Sequence, residues 1–167
     1  MKKQIYLYVL LISLLLLSGG CKKVPPAPPA NMDACVDFSN IPLHTAYPYG
    51  YMLQLDEVKI EIFYALGGRI KERPEYPPSG GNQFQFLELT GTGTANIFLP
   101  AEPSTVILDV LQGGPDAIKI SCGGFTNSTS HPGTIERINF VGQNLDSLRI
   151  SGSETYIYRV CWKGGQN

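Results

Sequence analysis

The chain has 167 residues, which is enough for one domain and too few for two domains of ordinary size. Only 16% of its residues are charged, whereas glycine (18) and proline (13) are plentiful. This balance excludes a coiled coil or a helical bundle and favours a turn-rich β protein. Thirteen basic and fourteen acidic residues provide no basic surface for nucleic acid. Without residues 1–33 the balance becomes nine basic to thirteen acidic residues.

The N-terminus has the composition of a secretory signal peptide. Two lysines precede an apolar run over residues 5–17, which is shorter than the about 20 residues of a membrane-spanning helix. Small residues then lead to Cys21, an arrangement that resembles the lipobox of bacterial lipoproteins, although Ser18 stands where that pattern has leucine. The resemblance implies a signal helix over 1–20 that is removed and a lipid on Cys21. The alternative is ordinary secretion with Cys21 as a free thiol.

A lipid on Cys21 implies a membrane partner and a location in the bacterial cell envelope. We expect the outer membrane or the cell surface rather than the inner membrane. Residues 21–33 carry four prolines and favour extended polyproline II structure at about 3.1 Å per residue. We therefore predict a tether that holds a domain away from the membrane, with a ligand for a proline-binding groove as the alternative.

From Ala34 onward, apolar residues recur at every second position, which is the period of a β-strand. The clearest run begins at Val58, where apolar and mostly charged residues alternate. Nine strands are predicted in this way: Cys35–Phe38, Val58–Tyr64, Gln83–Leu89, Ala95–Leu99, Thr105–Leu111, Ala117–Cys122, Ile135–Phe140, Ser147–Ser151 and Thr155–Trp162.

Turn-forming residues separate these strands, among them Gly91–Gly93 and Gly152–Ser153. Two longer segments, 67–82 and 123–133, are predicted to be loops. About nine short strands predict an all-β fold, an antiparallel two-sheet β-sandwich or jelly roll. This domain is expected over residues 34–163, followed by a short tail over 164–167.

Three cysteines remain once Cys21 is assigned to lipid, so an exported domain is expected to hold one disulfide and one free thiol. Alternation puts Cys35 on the face opposite Val36 and Phe38, which face the core. It puts Cys122 on a core face. In the last predicted strand, Cys161 lies opposite a face shared by Tyr156, Tyr158, Val160 and Trp162.

The segment Cys35–Leu43, CVDFSNIPL, resembles the opening of a poorly characterised group of bacterial exported β-sandwich domains. These domains open on CVDFE followed by a proline and look like jelly rolls of the galactose-binding type. Tyr47 and Gly50 also fit the opening, and Val160 with Cys161 fits the closing strand. The resemblance implies a Cys35–Cys161 disulfide that joins the first and last strands.

Departures from that pattern bear on metal binding. Ser39 replaces an acidic residue, His44 replaces a glycine, and Tyr158–Arg159 replaces an acidic pair. Some jelly rolls of this type hold calcium near their terminal strands, and calcium needs six to eight oxygen ligands. Without these carboxylates we expect no metal and no cofactor.

Catalytic patterns are absent from the sequence. The two histidines, His44 and His131, lack the spacing of metal ligands, and Ser130 beside His131 does not by itself make a hydrolytic triad. We therefore predict that the protein is not an enzyme. Glycoside chemistry stays open, because acids such as Glu88 and Asp109 could meet in space.

Aromatic residues suggest a ligand site. Tyr47, Tyr49 and Tyr51 recur at strand spacing, and tyrosine rings on a rigid sheet can stack on sugars or peptides. A structural role at the edge of a sandwich is the alternative. The sequence thus predicts a lipid-anchored envelope protein that binds a glycan or another surface ligand without catalysis. The alternative is a structural or accessory subunit of an envelope protein complex, which would bind its partner through an exposed apolar patch.

Overall fold

The computed structural model describes residues 27–28, 30–63, 68–72, 85–100 and 102–164. Within these ranges the chain forms eleven β-strands and no helix, which confirms the all-β prediction. The strands are β1 (Ala34–Asp37), β2 (Ala46–Tyr47), β3 (Met52–Leu55), β4 (Val58–Phe63), β5 (Gly68–Glu72), β6 (Gln85–Phe98), β7 (Pro103–Gln112), β8 (Lys119–Cys122), β9 (Phe125–Ser128), β10 (Ile135–Val141) and β11 (Ser147–Gly164).

The N-terminal predictions fall largely outside these ranges. The predicted signal helix over 1–20 and the lipid site at Cys21 lie outside the described residues. In the described part of the chain, no helix is long and apolar enough to cross a membrane. The last residues of the predicted tether are described, and they contact the domain: Arg137 Nη2 donates to the carbonyl of Ala27 at 2.9 Å.

Antiparallel pairing arranges the strands as a two-sheet β-sandwich in which β6 and β11 take part in both sheets. The first sheet has the order β9–β8–β11–β6–β4–β3 and uses residues 147–153 of β11 and 92–98 of β6. The second has the order β10–β7–β11–β6–β5–β2 and uses residues 155–164 of β11 and 85–89 of β6. β1 lies beside the end of β11 in the second sheet.

The core lies between the inner faces of the two sheets. In β4 the alternating residues Val58, Ile60 and Ile62 are fully buried, and β7 contributes Val106 and Leu108 in the same way. All of them belong to one hydrophobic cluster. Because side chains alternate between faces, the residues between them point outward and are free to make a surface.

The two long strands replace four shorter strands that the sequence predicted. β6 continues through Gly91–Gly93 and β11 through Gly152–Ser153, which were predicted to be turns. The register between the two strands shifts between Ser153 and Thr155, as in a β-bulge, where each strand passes from one sheet to the other. The turn predictions were wrong because glycine inside a strand marks a bend as well as a turn.

A second bulge changes the faces of the last strand. Between Ile157 and Arg159 the register of β11 on β7 passes over Tyr158, which is therefore an extra residue in the pairing. Beyond the bulge, Val160 and Trp162 share one face, as predicted, and the structure shows that this face lies in the main core.

Tyr156 and Tyr158 lie on the opposite side, in a separate cluster with Phe86. Their ring centroids are each 5.1 Å from that of Phe86. The predicted face shared with Val160 and Trp162 was therefore wrong for these two tyrosines. A single inserted residue reverses the alternation, and residue types alone do not reveal it.

Several short strands were not predicted. β2 and β3 have two and four residues, while β5 and β9 lie inside the segments 67–82 and 123–133, which were predicted to be loops. All four residues of β9 are exposed, so no alternation of apolar and polar residues marks it. Its pairing with β8 instead depends on backbone hydrogen bonds.

The cysteines are arranged as the resemblance implied. Cys35 and Cys161 face each other directly in the pairing of β1 with β11 and form a disulfide. Cys122 is free and buried. Burial and the nearby charge of Asp146 raise the pKa of the Cys122 thiol to about 11, so it stays protonated at neutral pH.

Candidate functional site

The outer face of the first sheet carries a row of polar side chains that crosses four strands. Glu61 of β4 lies opposite Asn96 of β6, Asn96 lies opposite Arg149 of β11, and Arg149 lies opposite Ser121 of β8. Each follows or precedes a buried residue of the core, so alternation directs it outward. We refer to these four residues as the polar row.

Hydrogen bonds hold part of the polar row in place. Asn96 Nδ2 donates to Glu61 Oε2 at 2.9 Å. The hydroxyl oxygens of Ser121 and Thr126 are 3.3 Å apart. The carbonyl oxygen of the Asn96 side chain is left as an acceptor, so a ligand would meet hydrogen-bonding groups whose positions are already defined.

A depression of about 300 Å³ lies along this row. Phe98 is its aromatic wall and is 39% exposed. The depression is lined by Asn96, Phe98, Ser121, Cys122, Gly123, Gly124, Ser147, Leu148 and Arg149.

The turn between β8 and β9 keeps one side of the depression open. Gly123 and Gly124 have φ angles of +54° and +84°, which side chains disfavour. A Cβ on Gly123 would lie 2.9 Å from the carbonyl oxygen of Gln143, so glycine is needed there for close contact with the neighbouring loop. The depression thus combines the aromatic ring of Phe98 with the polar side chains of Asn96, Ser121 and Arg149, a mixture typical of small-molecule sites.

The structure separates the three tyrosines that the sequence proposed for ligand binding. Tyr47 is buried, whereas Tyr49 and Tyr51 are 58% and 43% exposed. They surround a turn between β2 and β3 at Gly50, whose N–H donates to the carbonyl of Ile62 at 2.8 Å, so they do not form one row on one strand. Ligand binding by these tyrosines stays a prediction.

Tyr49 nevertheless belongs to the same surface as the polar row. Its ring stacks on Phe63, with centroids 6.1 Å apart. Phe63 follows the buried Ile62 and points outward beyond Glu61, whereas Phe98 lies on the other side of the row, opposite Lys59. Aromatic rings therefore flank the polar row on both sides. Lys59 marks the position of Phe98 along β4, and Phe63 lies four residues, or about 13 Å, from Lys59.

Two acids named for possible glycoside chemistry are held by cations. Lys71 Nζ lies 2.6 Å from Glu88 Oε2. Arg137 donates two hydrogen bonds, of 2.8 and 2.9 Å, to the two carboxylate oxygens of Asp109. Each acid is buried and occupied in its own ion pair, which does not resemble a catalytic pair of carboxylates.

Ser130 and His131 contact each other, and Glu136 joins them. Ser130 Oγ lies 2.7 Å from His131 Nδ1 and donates to Glu136 Oε2 at 2.9 Å, while the backbone N–H groups of both residues donate to the Glu136 carboxylate. Burial raises the pKa of Glu136, but these hydrogen bonds outweigh burial and hold it below its usual value. The histidine does not stand between serine and acid, so the cluster secures the turn before β10 rather than activating a nucleophile.

Metal ligands do not gather in the described part of the chain, where no group of three histidine, cysteine or acidic side chains could hold an ion. The outer face of the first sheet is therefore the strongest candidate site. The sequence gives no signal for Asn96, Phe98, Ser121 or Arg149, because each is an ordinary outward residue of a strand. Only the register brings them together.

Comparison with protein-family models gives no match, and comparison with curated proteins gives none. Among solved structures, the chain is similar to the carbohydrate-binding module TmCBM61, described in complex with beta-1,4-galactotriose, with a TM-score of 0.39 and 13% identity over 67% of this chain and 91% of that one. It is also similar to part of BtGH115A, a family GH115 4-O-methyl-alpha-glucuronidase with specificity for decorated arabinogalactans, with a TM-score of 0.37 and 8% identity over 86% of this chain. The match covers only 19% of that enzyme. At these TM-scores and identities, neither similarity assigns a function to this all-β, antiparallel sandwich.

Proposed function

We propose that this protein is a non-catalytic carbohydrate-binding module that a lipid on Cys21 tethers to a bacterial cell envelope. The observation that carries the binding proposal is the polar row beside the exposed ring of Phe98 in a depression of about 300 Å³. Sugars combine hydroxyl groups, which donate and accept hydrogen bonds, with apolar ring faces that stack on aromatic side chains. The outer face of the first sheet offers both kinds of contact.

The extent of the surface favours a chain of sugars over a single ring. Phe98 and the stacked pair Tyr49–Phe63 lie on opposite sides of the polar row. A bound oligosaccharide that runs along β4 and crosses the polar row would reach an aromatic ring on each side of the row. The proposal thereby includes Tyr49, one of the three tyrosines that the sequence suggested.

The surroundings of two acids and of the free thiol support a function without catalysis. Glu88 and Asp109 are engaged by Lys71 and Arg137. The Cys122 thiol is buried in the core, and burial raises its pKa to about 11, so a nucleophilic thiolate is rare at neutral pH. These three residues are therefore consistent with a protein that binds a glycan without cleaving it.

Replacing Phe98 by alanine tests the binding proposal. The domain over 34–164 is first screened on an array of neutral and acidic oligosaccharides, and the strongest ligand is titrated by calorimetry. We expect Phe98→Ala to weaken binding by about tenfold or more, which corresponds to about 1.4 kcal/mol, because the stacking surface is lost.

Val141→Ala is the matched control for this experiment. Val141 is an exposed apolar residue of β10 and does not line the depression, so its loss should leave affinity unchanged. Tyr49→Ala measures separately whether the ligand reaches the far aromatic pair. An array without any bound glycan, or full affinity in Phe98→Ala, would contradict the proposal.

The lipid anchor is supported by the lipobox-like segment before Cys21. We expect wild-type protein from a bacterial host to pellet with membranes and to carry acyl groups on its N-terminal peptide in mass spectrometry. Cys21→Ser should abolish acylation and either release the protein or leave the signal peptide uncleaved. Cys122→Ser serves as the control, because it removes another free thiol without touching the N-terminus. A mature wild-type N-terminus without lipid mass would refute the anchor.

An accessory subunit of an envelope complex is the second candidate function. The observation that favours it is the run of exposed apolar side chains at Tyr49, Tyr51 and Met52. Extraction with mild detergent distinguishes the candidates. A protein partner at a constant ratio, together with no bound glycan, would favour the subunit, whereas a monomer that binds glycan favours the module.

A further inference from the structure

Arg149 gives the depression a positive charge. It is exposed and is the single charged residue among those that line the depression. Its cross-strand neighbours, Asn96 and Ser121, are uncharged. Within the described residues, no acidic side chain forms an ion pair with Arg149. A guanidinium in that setting is available to a ligand.

Other charged groups lie nearby, but each is separated from Arg149. Glu61 is two strands away along the polar row, and its carboxylate accepts the hydrogen bond from Asn96. Asp146 precedes β11 and accepts a hydrogen bond from Ser147 Oγ at 3.2 Å. Lys59 lies opposite Phe98 and adds a second positive charge beside the depression. The charge nearest to a negative ligand group placed at Arg149 is therefore that of the guanidinium itself.

The positions of Arg149 and Phe98 match the dimensions of one sugar ring. Phe98 lies opposite Ser147 in the pairing of β6 with β11, so Arg149 is its diagonal neighbour. Diagonal neighbours on one face of a sheet are about 7–8 Å apart, within reach of aromatic and long side chains. A ring stacked on Phe98 would direct a substituent toward the guanidinium.

We propose that the ligand is a glycan whose sugars carry a carboxylate, with the carboxylate on Arg149 and the ring on Phe98. The planar guanidinium binds a carboxylate through two parallel N–H···O hydrogen bonds, which fixes the orientation of the sugar as well as its charge. This inference rests on the proposed carbohydrate-binding function and names its substrate class. Asn96 and Ser121, on either side of Arg149, would bind hydroxyl groups of the same sugar.

The test compares acidic oligosaccharides with their carboxyl-reduced forms, in which each carboxylate becomes a CH₂OH group. Oligosaccharides of galacturonate, glucuronate and mannuronate are titrated into the wild-type domain and into Arg149→Gln. We expect at least one acidic oligosaccharide to bind about tenfold more tightly than its reduced form. Arg149→Gln should remove that preference, while Arg149→Lys should keep part of it because the charge remains without the fork.

Lys163→Gln is the matched control, because it removes an exposed positive charge from β11 in the second sheet, away from the depression. It should bind as the wild type does, and all variants should keep the wild-type melting temperature. The preference should also decline with added salt.

Each other outcome overturns the inference in a distinguishable way. Equal affinity for acidic and reduced oligosaccharides overturns the acidic ligand but leaves carbohydrate binding intact. A preference that survives in Arg149→Gln assigns the carboxylate to another residue and overturns the role of Arg149. No binding to any oligosaccharide, acidic or reduced, overturns this inference, and an empty array in the first experiment overturns the proposed function as well.

Discussion

Replacing either Cys35 or Cys161 by alanine is expected to lower the free energy of unfolding by about 4–5 kcal/mol in the chain-entropy description of a disulfide. The two cysteines are 126 residues apart, so the bond closes most of the domain into one loop and strongly restricts the unfolded chain. It also joins β1, a strand of four residues at the edge of its sheet, to the long central strand β11. Domains of this size have about 5–15 kcal/mol of stability in total, so the loss approaches unfolding.

Urea denaturation of the single and double variants provides the measurement. Cys35→Ala and Cys161→Ala should lose similar amounts, and the double variant should be little worse than either, because all three lack the same bond. Cys122→Ala is the control. It leaves the bond intact and removes one buried sulfur, so only a packing defect is expected. Losses that add in the double variant would show that the two cysteines stabilise the domain independently.

Asp109→Ala is expected to lower the free energy of unfolding by about 3–5 kcal/mol, the cost of breaking a buried ion pair by removing one partner. Asp109 is 1% exposed and lies on β7 between Arg137 of β10 and Arg159 of β11. Arg137 forms two hydrogen bonds with it, and Arg159 Nη1 lies 3.7 Å from Asp109 Oδ2. The hydrogen bond to Asp109 raises the pKa of Arg137. Without the acid the guanidinium still stays charged at neutral pH, because arginine is not deprotonated in proteins. A partly buried Arg137 and a buried Arg159 then lie on either side of the position from which the acid was removed.

Asp116→Ala is the control for this experiment. Asp116 is exposed and accepts one long hydrogen bond, of 3.4 Å, from Ser153, so its removal should change stability by less than about 0.5 kcal/mol. Both variants are compared by urea denaturation at neutral pH. A loss below about 1 kcal/mol in Asp109→Ala would show that water, rather than the acid, compensates the two arginines.

The binding experiments do not depend on either result. Phe98 and Arg149 lie on the outer face of the first sheet, whereas the disulfide and Asp109 stabilise the second sheet. A variant at one place should therefore leave the other property unchanged, provided that the domain stays folded. This separation lets affinity and stability be read independently.

The alternation of apolar and polar residues was enough to predict the fold class and much of the core. In β4 the residues Val58, Ile60 and Ile62 were expected on one face and are fully buried. The same reasoning placed Cys122 on a core face, and it placed Cys35 on the face of its own strand that points away from the core. Side-chain direction in a strand has a period of two residues, so burial can be inferred locally, without knowledge of which strands are neighbours.

Bulges and strand bends could not be inferred in this way. The extra residue at Tyr158 reverses the faces of Tyr156 and Ile157 relative to Val160, and the glycines of β6 mark a bend rather than a turn. Both features depend on which strand lies alongside. The sequence contains the residues that permit a bulge or a bend, but the pairing partner decides whether one forms.

The composition and periodicity of this sequence by themselves determined an all-β domain, many of its inward residues and the number of disulfides, and a resemblance of its two ends to known domains implied which cysteines pair. Only the tertiary structure decided the candidate site. Glu61, Asn96, Ser121 and Arg149 come from four strands that are far apart in the chain, and they form a row because the register aligns them. Local alternation fixes whether a side chain points outward, but a shift of one residue between strands would direct these side chains to different faces. Long-range pairing therefore assembles a surface that no segment of the sequence contains.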